Sequence, residues 1–83
     1  MGEKEELIAE TKKWLERIKA RIKNVSACNE KGEEFLRNIK AYISDTEYFF
    51  ERGALVRAFE CVVWAWAWLE IGLNLGILAE SAN

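Results

Sequence analysis

One long apolar segment, residues 54–80, limits what this chain can fold into more than any other feature. Its centre, residues 61–69, carries three of the four tryptophans on alternate positions. The charged residues of the whole segment are only Arg57, Glu60, Glu70 and Glu80. A helix this apolar cannot face water around most of its circumference, so the rest of the chain is expected to fold against it.

The composition indicates one folded domain that spans residues 1–83. Of the 83 residues, 51% are apolar and 31% are charged, which is typical of a globular protein. Proline is absent, as expected for long helices, and the net charge of −2 provides no general attraction to nucleic acid or anionic membrane. Glu60 and Glu70 limit the uninterrupted apolar stretch to residues 61–69, well short of the roughly 20 residues that a membrane span needs. We therefore expect no transmembrane helix.

Apolar residues recur at helical spacing in three segments and predict an all-α fold, an antiparallel three-helix bundle with up-down-up order. The helices are expected over about residues 3–25, 31–52 and 54–80, with the third helix the longest and most apolar. Gly53 is expected to end the second helix, and either Ser26 or Asn29 to cap its start. The alternating tryptophans also have the period of a strand, but the helical pattern on both sides favours a helix.

The third helix has a predicted core stripe with small residues beside it. The stripe consists of Leu55, Phe59, Val62, Trp66, Leu69, Leu73 and Ile77. The small residues are Ala58, Ala65, Gly72 and Gly76, and they are expected to permit close approach of a neighbouring helix.

The opposite side of the third helix carries further apolar residues, which we call the outer stripe: Trp64, Trp68, Ile71 and Leu75, with Cys61 extending it toward the N-terminus. A three-helix bundle covers one side of each helix, so this stripe would form an exposed patch of the size that marks an interaction site. Three interpretations stay open. In the first, the other two helices pack around the third and cover the stripe. In the second, two copies of the chain associate through the stripe, and in the third it binds a helix of another protein. Homodimerisation is the working hypothesis.

The sequence provides few groups for catalysis, and we expect no enzyme. Histidine is absent, which removes the commonest general base. No phosphate-binding loop or metal-ligand spacing is present, so no cofactor, metal or small-molecule substrate is expected. Glu70 lies beside the core stripe and Asp45 flanks the apolar seam of the second helix. Each is interpreted either as a buried or half-buried partner of a basic or tyrosine side chain, or as a ligand contact in a small pocket, and Arg52 is a candidate neighbour of Asp45.

Two further expectations concern the thiols and nucleic acid. Because no signal peptide is recognisable, Cys28 and Cys61 are expected to be reduced thiols in the cytoplasm. A less favoured function is nucleic-acid binding by the basic face of the first helix, with tryptophans stacking on unpaired bases. That face carries Lys12, Lys13, Arg17, Lys19, Arg21 and Lys23, diluted by Glu10 and Glu16.

Two elements between Tyr42 and Leu78 are specific enough to compare with known families: Gly53-x-x-Val56-x-Ala58-Phe59 and Leu69-Glu70-x-Gly72. With these elements the segment resembles an archaeal family, Domain of Unknown Function 357. The resemblance covers roughly the last 40 residues, while the first helix carries no recognisable family signal. It implies a short three-helix bundle and an archaeal source, without an established activity. The chain departs from the family pattern at Ala54, where an acidic residue is usual, and at Trp64 and Trp66, where polar residues are frequent.

Overall fold

The computed structural model describes residues 2–81, in which three helices are joined by short connections and two small strands. Residues 1, 82 and 83, the ends of the predicted domain, lie outside the described residues. The elements in chain order are α1 (Glu3–Ile22), β1 (Val25–Ala27), α2 (Glu30–Glu51), α3 (Leu55–Asn74) and β2 (Leu78–Glu80). The predicted all-α three-helix bundle is confirmed, with the two strands as a minor addition.

Contacts between side chains define the directions of the helices. Phe35 packs against Trp68 and Tyr42 against Trp64, so residue numbers fall along α2 as they rise along α3. Trp14 contacts Trp66 and Arg21 contacts Glu70, which makes α1 parallel to α3. The order is therefore up-down-up, as the patterning predicts.

Two predicted helix ends are wrong. The first helix ends at Ile22 rather than near residue 25, and the third ends at Asn74 rather than near residue 80. Consequently α2, with 22 residues, is longer than α3, with 20. The third helix is the most apolar of the three, but it is not the longest.

Gly76 is the physical reason why α3 ends early. Its backbone has a φ of +74°, and its N–H donates to the carbonyl of Leu73 while the N–H of Ile77 donates to that of Gly72. This is the Schellman arrangement, in which a left-handed residue closes the last helical turn. Gly53 ends α2 in the same way, with a φ of +77°, as the sequence predicts.

The residues beyond α1 and α3 pair with each other as a two-stranded antiparallel sheet. Val25 is opposite Glu80, and Ala27 is opposite Leu78. Val25 and Leu78 are both buried in the core, so the pairing covers one end of the bundle with apolar side chains. Val25 and residues 78–80, which were predicted to be helical, are instead extended and lie in this strand pair.

The start of α2 fits closely against the segment that follows α3. The Asn29 side chain accepts a hydrogen bond from the N–H of Gly32 at 2.9 Å, so Asn29 rather than Ser26 caps the helix. Gly32 is buried, and a Cβ atom at this position would overlap the carbonyl oxygen of Ile77. The carbonyl of Ile77 also accepts from the N–H of Cys28 at 2.9 Å.

The core lies between the three helices and the strand pair. It contains two buried threonines, Thr11 and Thr46, whose hydroxyls donate to the carbonyls of Leu7 and Tyr42 one turn earlier. Their hydrogen-bonding groups are therefore satisfied within each helix. The buried apolar cluster comprises Leu15, Ile18, Val25, Ile39, Ile43, Val62, Ala65, Leu69 and Leu78.

Candidate interaction surface

The small residues of α3, and not its large ones, occupy the centre of its buried face. Ala58, Ala65 and Gly72 are all buried, with Val62 and Leu69 on the same side. With about 100° per residue, the buried face is rotated by roughly 60° from the predicted core stripe. Alanine and glycine let the backbones approach closely, so α2 and the strand pair pack on this side. A Cβ atom on Gly72 would overlap the side chain of Leu78.

This rotation exposes part of the outer stripe and turns the rest inward. Trp64 is 54% exposed, Ile71 48% and Leu75 65%. Trp68 and Cys61, by contrast, are half-buried, and Trp68 packs against the core. Trp68 therefore does not stand on the outward side as expected. The same rotation exposes Val56 and Val63, which the sequence interpretation missed.

Four exposed apolar residues of α3 and its C-cap residue form a surface that we call the exposed α3 face: Val56, Val63, Trp64, Ile71 and the C-cap Leu75. Large apolar side chains that are each about half exposed or more, and that follow one helix, are unusual for a lone globular chain. In the sequence, the small residues Ala58, Ala65 and Gly72 recur every seven positions, and this spacing indicates which side of α3 is buried. It marks the line along which another helix can come closest.

Two tryptophans of α3 are held by aromatic neighbours on α2. Trp64 stacks on Tyr42 with ring centroids 6.4 Å apart and planes 19° apart, so it lies flat at the α2 boundary of the exposed α3 face. Trp68 meets Phe35 edge-on at 4.5 Å. The Nε1 atom of Trp68 is buried and has no hydrogen-bond partner among the described residues.

A shallow apolar groove borders the exposed α3 face on the α1 side. It has a volume of about 280 Å³ and is lined by Trp14, Phe59, Val62, Val63 and Trp66. Trp66 forms an edge-to-face contact with Trp14, and its Nε1 donates to the Trp14 carbonyl at 3.1 Å. Because Val63 belongs to both surfaces, the groove and the exposed α3 face are continuous.

Glu70 is exposed, not buried, because it lies on the side that the rotation turned outward. Its carboxylate pairs with the Arg21 guanidinium of α1 at 2.9 Å, so an arginine of the first helix is its partner, as one interpretation expected. Arg21 also binds Glu80 through two hydrogen bonds of 2.8 and 2.9 Å. This contact holds the pKa of the Glu80 carboxyl below its usual range. Arg21 thereby links α1, α3 and β2.

Asp45 is exposed, and the candidate pairing with Arg52 is wrong. Arg52 instead lies over the ring of Tyr48, 3.6 Å from its centroid, and donates to the carbonyl of Tyr48. Asp45 acts electrostatically on Cys61. Burial raises the pKa of the Cys61 thiol, and the negative charge of Asp45 adds to the shift. Cys28 and Cys61 are both free within the described chain.

The basic face of α1 is partly neutralised by carboxylates. Lys13 pairs with Glu10 at 2.9 Å, and Lys19 pairs with Glu47 at 2.7 Å. Arg21 is bound to two acids, Glu70 and Glu80. Half of the six basic residues predicted for this face are therefore in ion pairs, which reduces the positive potential available to a phosphate backbone.

Residues 2–81 offer neither a membrane span nor a metal centre. None of their helices is long and apolar enough to cross a membrane. In the same part of the chain, no three acidic, cysteine or histidine side chains are grouped so that they could hold a metal ion.

Comparisons with known proteins identify the family. The crystal structure of protein AF1782 from Archaeoglobus fulgidus, a DUF357 protein, is 61% identical in sequence and superposes with a TM-score of 0.89. The alignment covers 96% of this chain and 100% of that one. No protein with a curated description matches. The family model described as "Protein of unknown function (DUF357)" matches residues 8–78, so the family signal includes most of α1, which the sequence resemblance did not reach. The chain belongs to the DUF357 family.

Proposed function

We propose that this protein is a small non-enzymatic interaction module that self-associates through the exposed α3 face. The observation that carries the proposal is the set of five apolar side chains, each between 48% and 67% exposed, along one helix and its C-cap. From Val56 to Leu75 the face runs about 28 Å along the helix axis. Exposed apolar surface of this extent is typical of a protein-binding site.

Aromatic residues beside the exposed α3 face enlarge the apolar area toward that of a typical protein–protein interface. Specific protein–protein interfaces of standard size bury roughly 800 Å² per partner, more than one helical stripe supplies. Tyr42 extends the apolar surface beside Trp64, and the groove of Trp14 and Trp66 extends it beside Val63. The exposed α3 face would form the centre of the interface, and these flanking aromatic residues would form the area around it.

The expected affinity is modest. If each copy buries about 300 Å² of apolar surface, the pair gains roughly 15 kcal/mol at ~25 cal/mol per Å². Association itself costs about 4–15 kcal/mol in lost freedom. The dimer is therefore expected to dissociate on dilution rather than to persist at any concentration.

Sedimentation equilibrium tests the proposal with matched variants. The wild type is expected to dimerise, and Trp64→Glu and Ile71→Glu to sediment as folded monomers, because each places a charge in the interface centre. Tyr48→Glu is the control, since Tyr48 is 51% exposed but lies on α2, away from the buried side of that helix. It should dimerise like the wild type. A wild type that remains monomeric at high concentration rejects self-association.

An adaptor that binds a helix of a different protein is the second candidate. The continuity of the exposed α3 face with the groove at Trp14, Phe59 and Trp66 favours it, since a ridge beside a groove can receive an amphipathic helix. A monomeric wild type that binds one purified partner, with loss of binding in Trp64→Glu and retention in Tyr48→Glu, would support this function instead.

We also propose a cytoplasmic location in an archaeal cell. Two free thiols, Cys28 and Cys61, are expected in a reducing compartment. The similar crystal structure is that of a protein from Archaeoglobus fulgidus. Fractionation of source cells, followed by antibody detection, tests the location.

A further inference from the structure

We infer that two copies pair antiparallel through α3, with Trp64 of one copy packed over Ala67 of the second. This inference rests on the proposed self-association and specifies its geometry. Trp64 is exposed, and Ala67, one turn along, is half-buried. Ala67 lies about 160° around the helix from the buried Ala65 and Leu69, so on the side away from the core a large side chain adjoins a small one.

Side-chain volume favours the antiparallel arrangement. In a parallel pair with twofold symmetry, each residue faces its own copy, so Trp64 would face Trp64 and Ala67 would face Ala67. The two Trp64 side chains would hold the helices apart, and the two Ala67 side chains would then leave a gap one turn further along. Protein interiors and interfaces are densely packed, which requires large side chains to face small ones. An antiparallel pair whose axis passes between residues 65 and 66 places Trp64 over Ala67 twice.

The same register matches the ends of the exposed α3 face. Val56 and Leu75 are equally far from the point between residues 65 and 66, so Val56 of each copy comes opposite Leu75 of the other. These two residues are the most exposed large apolar side chains among residues 2–81, at 67% and 65%. The register that fits the centre therefore also covers the residues with most to gain from burial.

The charges of α3 favour the same orientation. The helix has no acidic residue in its first turn and no basic residue in its last, so its dipole is not compensated by its own side chains. Arg57 lies near the N-terminal, positive end. Antiparallel pairing brings Arg57 beside the negative C-terminal end of the second copy, whereas parallel pairing brings Arg57 to Arg57 and Glu60 to Glu60. The least favourable pair in the antiparallel register is Glu60 with Ile71, so Glu60→Leu is expected to tighten the dimer several-fold.

Thiol cross-linking tests the orientation. In a Cys28→Ser, Cys61→Ala background, Val56→Cys and Leu75→Cys are prepared separately and refolded together, then treated with a short bifunctional thiol reagent. The antiparallel pair predicts a cross-linked dimer in the mixture and none with either variant alone, because like positions would be about 28 Å apart along the axis. Sedimentation first confirms that the background still dimerises.

The outcomes separate this inference from the proposed function. Cross-linking in the mixture alone supports the antiparallel register. Cross-linking by each variant alone shows a parallel pair and overturns it. A dimer by sedimentation with no cross-link in any sample also overturns it, and leaves self-association standing. A monomeric background, with a monomeric wild type, overturns both.

Discussion

Trp66 and Trp68 are two residues apart on α3, yet their indole N–H groups have opposite environments. The Nε1 of Trp66 donates to the carbonyl of Trp14, while that of Trp68 is buried without a partner among residues 2–81. A buried donor without an acceptor costs about 1–3 kcal/mol, and a formed hydrogen bond contributes about 1 kcal/mol. The two side chains therefore allow the contribution of each indole N–H group to the free energy of unfolding to be compared.

Substitution of each tryptophan by phenylalanine is expected to destabilise the protein by different amounts. Trp66→Phe loses ring area and a hydrogen bond, whereas Trp68→Phe loses ring area but removes the unsatisfied donor. Trp68→Phe should therefore be less destabilising, by at least about 1 kcal/mol, in urea unfolding of the two variants. Equal losses would show that the Trp68 N–H has a partner in solution.

Gly32 provides a second prediction at the scale of one residue. Inside an unconstrained helix, Gly→Ala stabilises by roughly 1 kcal/mol. Here the added methyl group overlaps the carbonyl oxygen of Ile77, so Gly32→Ala is expected to destabilise by about 2 kcal/mol. Urea unfolding measures the change. Gly53→Ala, in open space but at a φ of +77°, is the comparison and should cost about 1 kcal/mol. A stabilised Gly32→Ala would contradict this close packing.

Among the elements, β1 and β2 are too short to be stable alone, and other elements hold them in place. Each has three residues, and a two-stranded ribbon is marginal in water. Leu78 anchors β2 in the core, and Arg21 binds the Glu80 carboxylate from α1. Val25 likewise anchors β1, so the strand pair depends on two buried side chains and one ion pair between elements distant in sequence.

The Arg21–Glu80 contact predicts a pH dependence. The pKa of Glu80 is lowered in the folded protein, so its stabilisation is fully present above the ordinary glutamate pKa and is lost as the pH falls through the lowered value. Glu80→Gln should therefore lower the thermal midpoint more at pH 7 than at pH 3, relative to the wild type at each pH.

Glu34→Gln is the control for this prediction. The Lys31 contact lowers the pKa of the Glu34 carboxyl in the same direction, but Lys31 is three residues away on the same helix, so the pair joins no separate elements. The thermal midpoint of Glu34→Gln should therefore change less than that of Glu80→Gln at pH 7. A gap between the wild type and Glu80→Gln that is the same at pH 3 and pH 7 would contradict the assignment.

At the scale of the whole molecule, the exposed α3 face couples stability to concentration. If folded copies bind each other and unfolded chains do not, association stabilises the folded state by mass action. The thermal midpoint of the wild type is therefore expected to rise as the protein concentration is raised a hundredfold. Trp64→Glu should show a midpoint that does not change with concentration, and Tyr48→Glu should behave like the wild type. A wild-type midpoint that is independent of concentration would count against self-association.

The candidate surface was only partly predictable. Trp64, Ile71 and Leu75 of the outer stripe are exposed, while Trp68 packs against Phe35 and the exposed Val56 and Val63 were not foreseen. A helical wheel gives the relative positions of side chains around an axis. It does not give the direction in which the neighbouring helices lie.

Local patterning by itself determined three helices, their up-down-up order, the stop at Gly53 and a third helix too apolar to stand alone. These follow from spacing and turn residues, which act within a few positions of the chain. Only the tertiary structure decided the pairing of β1 with β2 and the rotation of α3 about its axis. The strand pairing depends on contacts between segments about 50 residues apart. The rotation depends on which side of α3 lets its neighbours approach most closely.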